Sequence, residues 1–123
     1  MRLAKLREEV LEANLELARK GLVIATFGNA SGVAKAEGLI VIKPSGVPCD
    51  GMRAPDLVVT DLHGKIIEGS LRPSSDLPTH AALYRAFPSV GGIAHTLRPG
   101  RRRGSRFRAS EPLTRIIFTV PFR

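Results

Sequence analysis

Apolar side chains recur at intervals of three and four residues over positions 3–18, and glutamates fall mostly on the opposite face. Lys20-Gly21 then gives a helix-stop signal. The pattern predicts an amphipathic helix that packs on a core and carries no chemistry of its own. Its apolar positions are Leu3, Leu6, Val10, Leu11, Leu15, Leu17 and Ala18.

Short runs rich in β-branched residues follow and predict strands over residues 22–27, 39–42, 56–61, 66–69 and 90–96. The third and fourth runs, joined by residues 62–65, predict a hairpin with His63 exposed at its turn. Residues 28–32 are predicted to turn the chain after the first strand. A second helix is predicted over residues 79–87, with Pro78 in its first turn and Asp76 or Ser75 as its N-cap.

The size and residue content indicate one domain of a protein that works in the cytoplasm. The 123 residues are enough for one hydrophobic core. The longest apolar run falls short of the roughly 18 residues that suggest a membrane span, and the N-terminal pattern is not that of a signal or transit peptide. A lone cysteine, Cys49, excludes an internal disulfide and fits a reducing compartment.

The net charge of +8 is confined to the end of the chain. Residues 1–96 carry 11 basic and 10 acidic side chains, whereas residues 97–123 carry eight arginines, no lysine and one acid, Glu111. A basic protein often binds nucleic acid. Here the charge indicates only that the tail differs from the rest, and its aromatic residues match no RNA-binding motif.

Candidate chemistry lies in two glycine-containing turns and in one later stretch. Gly28-Asn29 and Lys43-Pro44-Ser45-Gly46 place main-chain N–H groups, side-chain donors and a lysine where an anion can bind, although both are also ordinary turn sequences. Ser74-Ser75-Asp76 and His80 precede a short helical run, and His95 ends a strand. A lone histidine there is more often structural. A second imidazole two residues on would make a metal site, but position 97 is leucine.

Several motifs in order resemble L-ribulose-5-phosphate 4-epimerases, a branch of the class II aldolase family. The resemblance covers residues 1–96. The motifs that carry it are Leu11-Glu12-Ala13-Asn14-Leu15, Thr26-Phe27-Gly28-Asn29-Ala30-Ser31, Val41-Ile42-Lys43-Pro44-Ser45-Gly46-Val47, Pro73-Ser74-Ser75-Asp76, Pro78-Thr79-His80, Ala86-Phe87-Pro88-Ser89-Val90-Gly91-Gly92-Ile93 and His95-Thr96.

The resemblance implies an α/β fold, the N-terminal part of a three-layer α/β/α arrangement around a mostly antiparallel sheet. It implies retro-aldol cleavage and re-addition that convert L-ribulose 5-phosphate to D-xylulose 5-phosphate in arabinose catabolism. A zinc-type divalent metal and a homotetramer are implied as well. Asp76 would be catalytic and would sit at the metal, and His95 would be its first histidine ligand. His80 would be a structural residue of the helix. The phosphate and sugar hydroxyls would be bound by Gly28, Asn29, Lys43, Ser45, Gly46, Ser74 and Ser75.

The chain departs from the family after Thr96. Where the family has His-Thr-His, this sequence has His95-Thr96-Leu97, and an arginine-rich tail without clear periodicity follows. The genetic code shows what a shifted reading frame of this tail can encode. Each shifted codon consists of the third base of one codon and the first two bases of the next. From Phe107 onward, these shifted codons can encode Pro-x-x-Gly-Thr-Thr-His-Ala-Asp-Tyr-Phe-[His/Tyr]-Gly. That series resembles the family segment that holds a catalytic aspartate.

We therefore interpret residues 1–96 as the family domain and residues 97–123 as an irregular, out-of-frame tail that follows a small deletion. Such a chain lacks two metal histidines and is expected to be inactive. Two alternatives remain: a fuculose-phosphate-type aldolase on the same fold, and, from another class, a small nucleic-acid-binding protein that uses the tail.

Overall fold

An antiparallel sheet forms the middle layer of the molecule. The computed structural model describes residues 3–21, 28–99 and 113–119, with residues 97–99 and 113–119 described by their backbone. The predicted strand at 22–27 lies outside these ranges. The elements in chain order are helix α1 (Ala4–Arg19), strands β1 (Asn29–Ala34), β2 (Leu39–Ile42), β3 (Val58–Asp61) and β4 (Ile66–Glu68), helix α2 (Leu77–Ala86), and strands β5 (Gly92–Pro99) and β6 (Leu113–Thr119).

The strands of the described residues lie in the order β4-β3-β2-β1-β5-β6, and each neighbouring pair is antiparallel. Alternate residues along a strand point to opposite faces, and the two faces are covered by different helices. Val10 of α1 packs with Val41 and Val59. Tyr84 of α2 packs with Ile40 and Ile93. The α/β/α layering that the resemblance implies is thus present, with one helix on each side.

Both predicted helices and the predicted β3–β4 hairpin are confirmed, with small shifts of their ends. His63 is exposed beside the hairpin turn, as predicted. Within the described residues, no helix is long and apolar enough to cross a lipid bilayer.

The predicted turn over residues 28–32 is wrong. Gly28 has a positive φ of 98° and turns the chain, but the next residues form β1, which pairs with β2 on one side and β5 on the other. Glycine, alanine and serine have little strand propensity. Pairing on both sides and burial between two helices decide the conformation instead.

The prediction of an irregular tail is wrong for part of its length. β5 continues through residues 97–99, and β6 pairs with it from Ile93↔Thr119 to Pro99↔Leu113. The run Leu113–Thr119 is rich in β-branched and aromatic residues, which favour a strand when an open edge is available.

The buried side chain of Asn14 joins helix α1 to strand β1. β2 reaches only as far as Ser31 on β1, so the main chain of Ala30 has no partner on that side. The Ala30 N–H donates to Asn14 Oδ1 at 2.9 Å, and Asn14 Nδ2 donates to the Ala30 carbonyl at 3.1 Å. The amide therefore completes the hydrogen bonding of the strand where its neighbour ends.

Replacing Asn14 by Ala should lower the free energy of unfolding by about 2–5 kcal/mol, since two buried main-chain groups each lose a partner. Urea denaturation measures the change. Lys5→Ala, at an exposed position of the same helix, is the matched control and should stay within about 0.5 kcal/mol of the original chain. Similar stabilities of the two variants would contradict the role assigned to Asn14.

Candidate active site

Two loops that the sequence singled out lie side by side. The Ser74 N–H donates to the Lys43 carbonyl at 2.9 Å, and the Ser45 N–H donates to the Arg72 carbonyl at 2.8 Å. Pro44 and Pro73 form an isolated β-bridge between these bonds. The pairing joins the end of β2 to the start of α2, so that the two loops lie together at one end of the strands.

The register of β1 and β5 brings the first predicted metal ligand to the same place. Asn29 and His95 are directly paired across the two strands, and both are almost completely buried. His95 Nδ1 lies 3.2 Å from Asp76 Oδ2, close enough for an ion pair but not aligned as a hydrogen bond. Within the described residues neither ring nitrogen of His95 has a hydrogen-bond partner.

Asn29 holds the carboxylate of Asp76 in this position. Its Nδ2 donates to Asp76 Oδ2 at 2.7 Å and lies 3.3 Å from Ser74 Oγ. Asp76 is the N-cap residue of α2, as predicted, but its side chain does not cap the helix. The carboxylate faces Asn29 and His95 instead. The capping role predicted for this side chain is therefore wrong.

Lys43 is a buried cation beside the cluster, with 2% of its surface exposed. Its Nζ donates to the Pro44 carbonyl at 3.3 Å. Burial lowers the pKa of Lys43, while the nearby Cys49 and Asp76 act in the opposite direction. Burial raises the pKa of the Cys49 thiol, against the effect of Lys43. A buried ammonium beside the cluster can attract an anionic ligand.

The remaining predicted ligand-binding residues surround this cluster. Gly28 is buried directly before Asn29, Ser45 is half-buried, and Gly46 and Ser75 are exposed. Gly46 has φ 76°, a conformation that glycine adopts without strain. The structure therefore brings Asn29, Ser74, Asp76 and His95 into one cluster with Lys43 beside it. The binding roles of all these residues stay predictions.

Sequence reasoning missed a second polar cluster behind the first. Ser31 Oγ lies 2.6 Å from His80 Nδ1 and 2.7 Å from the Tyr84 hydroxyl, and all three side chains are buried. Burial lowers the pKa of His80 to about 4, with the nearby His95 acting in the same direction. The spacing of His80 and Tyr84 by four residues on one helix was the available signal.

The described residues supply only some of the ligands for the metal that the resemblance implies. His95 and Asp76 supply one imidazole and one carboxylate, both suitable for zinc, and the buried ring nitrogens of His95 have no other described partner. Yet among the described residues no group of three histidine, cysteine, aspartate or glutamate side chains is arranged to hold a metal ion. Zinc sites use at least three protein ligands, so these residues do not form a complete site.

Residues 8–100 match the model of the class II aldolase and adducin N-terminal domain. The chain belongs to that family. The match spans the described helix-sheet-helix unit, including both paired loops and His95. It confirms the class II aldolase fold implied by the resemblance and leaves the epimerase branch untested.

Solved structures of this family show the same fold. An L-fuculose 1-phosphate aldolase matches with a TM-score of 0.73 and 28% identity, over 78% of this chain and 45% of its own length. YgbL from Klebsiella pneumoniae, described as a putative aldolase/epimerase/decarboxylase, matches with a TM-score of 0.69 and 29% identity, over 75% and 44%. An L-fuculose-1-phosphate aldolase from Thermus thermophilus matches with a TM-score of 0.61 and 27% identity, over 76% and 47%. The chain thus spans less than half the length of these class II aldolase relatives.

Acid should destabilise this aldolase-family domain through His80. Because folding lowers the pKa of His80 from 6.5 to about 4, the unfolded chain binds more protons than the folded chain between these values. The free energy of unfolding therefore falls as the pH falls through this window, by up to about 1.4 kcal/mol per pH unit from this group. Replacing His80 by Gln should remove this contribution. Urea unfolding at several pH values across the window measures it.

The exposed His63 provides the matched control, since H63Q alters an imidazole that is not buried. Carboxylates also titrate near the lower end of the window. The quantity to compare is therefore the slope of the free energy of unfolding against pH, in each variant and in the original chain. Equal slopes for H80Q and the original chain would show that the His80 pKa is not lowered by folding.

Proposed function

We propose that this chain derives from an L-ribulose-5-phosphate 4-epimerase and retains the part of the site that binds the sugar phosphate. The observation that carries the proposal is the convergence of Asn29, Asp76 and His95 beside the two paired loops. An amide donor, a carboxylate and an imidazole meet there, beside the interior strands β1 and β5. The dense match of short motifs to the epimerases supports this branch of the family.

The two loops contribute different groups to the proposed phosphate site. Lys43 supplies a buried positive charge, and the paired loops add the hydroxyls of Ser45, Ser74 and Ser75. Such a set of donors suits a phosphate and its neighbouring hydroxyl groups. The half-buried carboxylate of Asp76 lies where it can hold or accept a proton from a bound sugar.

We propose that the 123-residue chain does not turn over its substrate. Position 97 stands two residues beyond His95 along β5, the spacing at which strand residues share a face, and it is leucine. The family motif places its second imidazole there. A deletion after Thr96 that shifts the reading frame accounts for this leucine and for the arginine-rich sequence that follows.

An L-fuculose 1-phosphate aldolase activity is the second candidate. Two such aldolases share the fold at 28% and 27% identity. Both candidates use one fold and one kind of substrate, a phosphorylated sugar, so the residues of the cluster do not separate them.

Replacing Leu97 by His should raise the zinc affinity of the 123-residue chain at least about tenfold. Mutating a residue that only orients a metal ligand typically lowers metal affinity by roughly 10–100-fold. Adding a direct ligand should therefore raise the affinity by at least a similar factor. Competition with a chromophoric chelator measures the affinity.

The matched control carries both Leu97→His and His95→Gln, which leaves one imidazole as in the original chain. Its affinity should return to the original level. Equal zinc affinity of L97H and the original chain would contradict the assignment of His95 as a metal ligand.

Restoring the family reading frame after the Thr96 codon should give an active protein. The DNA from the His95 codon onward should contain, in the shifted frame, the aspartate and histidine codons of the family segment. The frame-restored protein should convert L-ribulose 5-phosphate faster than it cleaves L-fuculose 1-phosphate, and light scattering should show a homotetramer.

Two results would overturn parts of this proposal. A shifted frame without those codons would exclude the deletion. A restored protein that prefers L-fuculose 1-phosphate would support the aldolase candidate. Asp76→Asn in the restored protein serves as the inactive reference, because it keeps the shape of the side chain and removes its charge.

A further inference from the structure

The cluster behind the candidate active site is a continuous chain of buried hydrogen-bonding groups. Ser31 of β1 stands at its centre, with its Oγ 2.6 Å from His80 Nδ1 and 2.7 Å from the Tyr84 hydroxyl. His80 and Tyr84 stand four residues apart on α2. One strand and one helix thus contribute to a single chain of contacts.

The groups at its ends fix the direction of the hydrogen bonds. Among the described residues, the hydrogen-bond partner found for the Tyr84 hydroxyl is Ser31 Oγ. The Tyr84 O–H must then donate to Ser31, and the Ser31 O–H donates to His80 Nδ1. In the reverse direction the buried Tyr84 proton would have no acceptor among the described residues.

The tautomer of His80 follows from this direction. An imidazole nitrogen that accepts a hydrogen bond carries no proton, so the proton of the neutral ring is on Nε2. His80 is fully buried, and its Nε2 has no hydrogen-bond partner among the described residues. The ring centre lies 6.0 Å from that of His95. The His80 ring therefore lies next to the cluster that contains Asp76 and His95.

We propose that Tyr84 and Ser31 hold His80 in its Nε2–H tautomer, as an uncharged hydrogen-bond donor to an oxygen of the ligand bound beside Asp76 and His95. Ser31 and Tyr84 are then positioning residues for His80. The same tautomer excludes His80 from the metal ligands, because its free nitrogen already bears a proton. The helix-face histidine that the sequence presents as structural is a binding residue.

The uncharged state indicates which oxygen His80 binds. In the proposed site, Lys43 and the loop serines bind the phosphate. A neutral N–H is better suited to a hydroxyl or carbonyl oxygen of the sugar. This part of the inference rests on the proposed function. The tautomer rests on the described contacts alone.

Nuclear magnetic resonance of the full chain with ¹⁵N-labelled histidine tests the tautomer directly. Long-range proton–nitrogen spectra at neutral pH should show His80 with a protonated Nε2 and an unprotonated Nδ1. H80Q assigns its signals, and the exposed His63 is the internal reference for a ring that exchanges between tautomers. A protonated Nδ1 on His80 would overturn the proposal.

Variants of Ser31 separate the hydrogen bond from the packing. Ser31→Ala should replace the single tautomer of His80 by a mixture, and Ser31→Thr should restore it, since threonine keeps the hydroxyl. An unchanged His80 in S31A would contradict the positioning role. If S31A does not fold, Tyr84→Phe provides the same test, because it removes the donor that directs the Ser31 proton.

Two additions test what His80 binds. Zinc chloride should leave its Nε2 proton in place, and loss of that proton on zinc binding would show that His80 is a ligand. L-ribulose 5-phosphate should shift the Nε2–H resonance. Binding seen at the Ser74 amide without a change at His80 would overturn the donor role and leave the proposed function intact. Absence of any binding would contradict the proposed function and the donor role, while the tautomer would stand on the spectra alone.

Discussion

The site depends on a match in spacing between helix α2 and strand β1. Four residues advance about 6 Å along an α-helix, and two residues advance about 6.6 Å along a strand. Asp76, His80 and Tyr84 are four residues apart, and Asn29 and Ser31 are two apart. The two polar rows therefore stay in step, so that Asp76 meets Asn29, and Ser31 meets both His80 and Tyr84.

Strand β5 adds a third row through its register with β1. His95 is paired with Asn29, and Ile93 is paired with Ser31. Register has a period of two, and a slip of one residue would turn His95 to the α1 face and Ala94 to the site. One pairing thus brings the imidazole to Asp76 and places Ile93, which packs in one hydrophobic cluster with Tyr84, beside Ser31. The cluster of Asn29, Asp76 and His95 and the hydrogen-bonded chain behind it therefore border the same pair of strands.

Much of the fold was predictable from the sequence, but the layout of the site was only partly so. The amphipathic pattern of α1 and the β-branched hairpin are local signals, and both predicted their elements. Strand β1 has no such signal, because Asn29, Ala30, Ser31 and Gly32 form a strand only when both neighbours pair with them. The contacts of Ser31 join residues 49 and 53 positions apart, and short-range patterns carry no information about such distances.

The leucine at position 97, where the resemblance implies histidine, does not interrupt the strand that carries His95. β5 runs without interruption from Gly92 to Pro99, and β6 pairs with it along this length. The backbone that carries His95 therefore keeps the conformation that brings this side chain to Asp76. Asn29 donates to the carboxylate, and the paired loops fix the start of α2. The part of the site proposed to bind the sugar thus rests on contacts among described residues between 28 and 96, and a metal would need further ligands that the described residues do not supply.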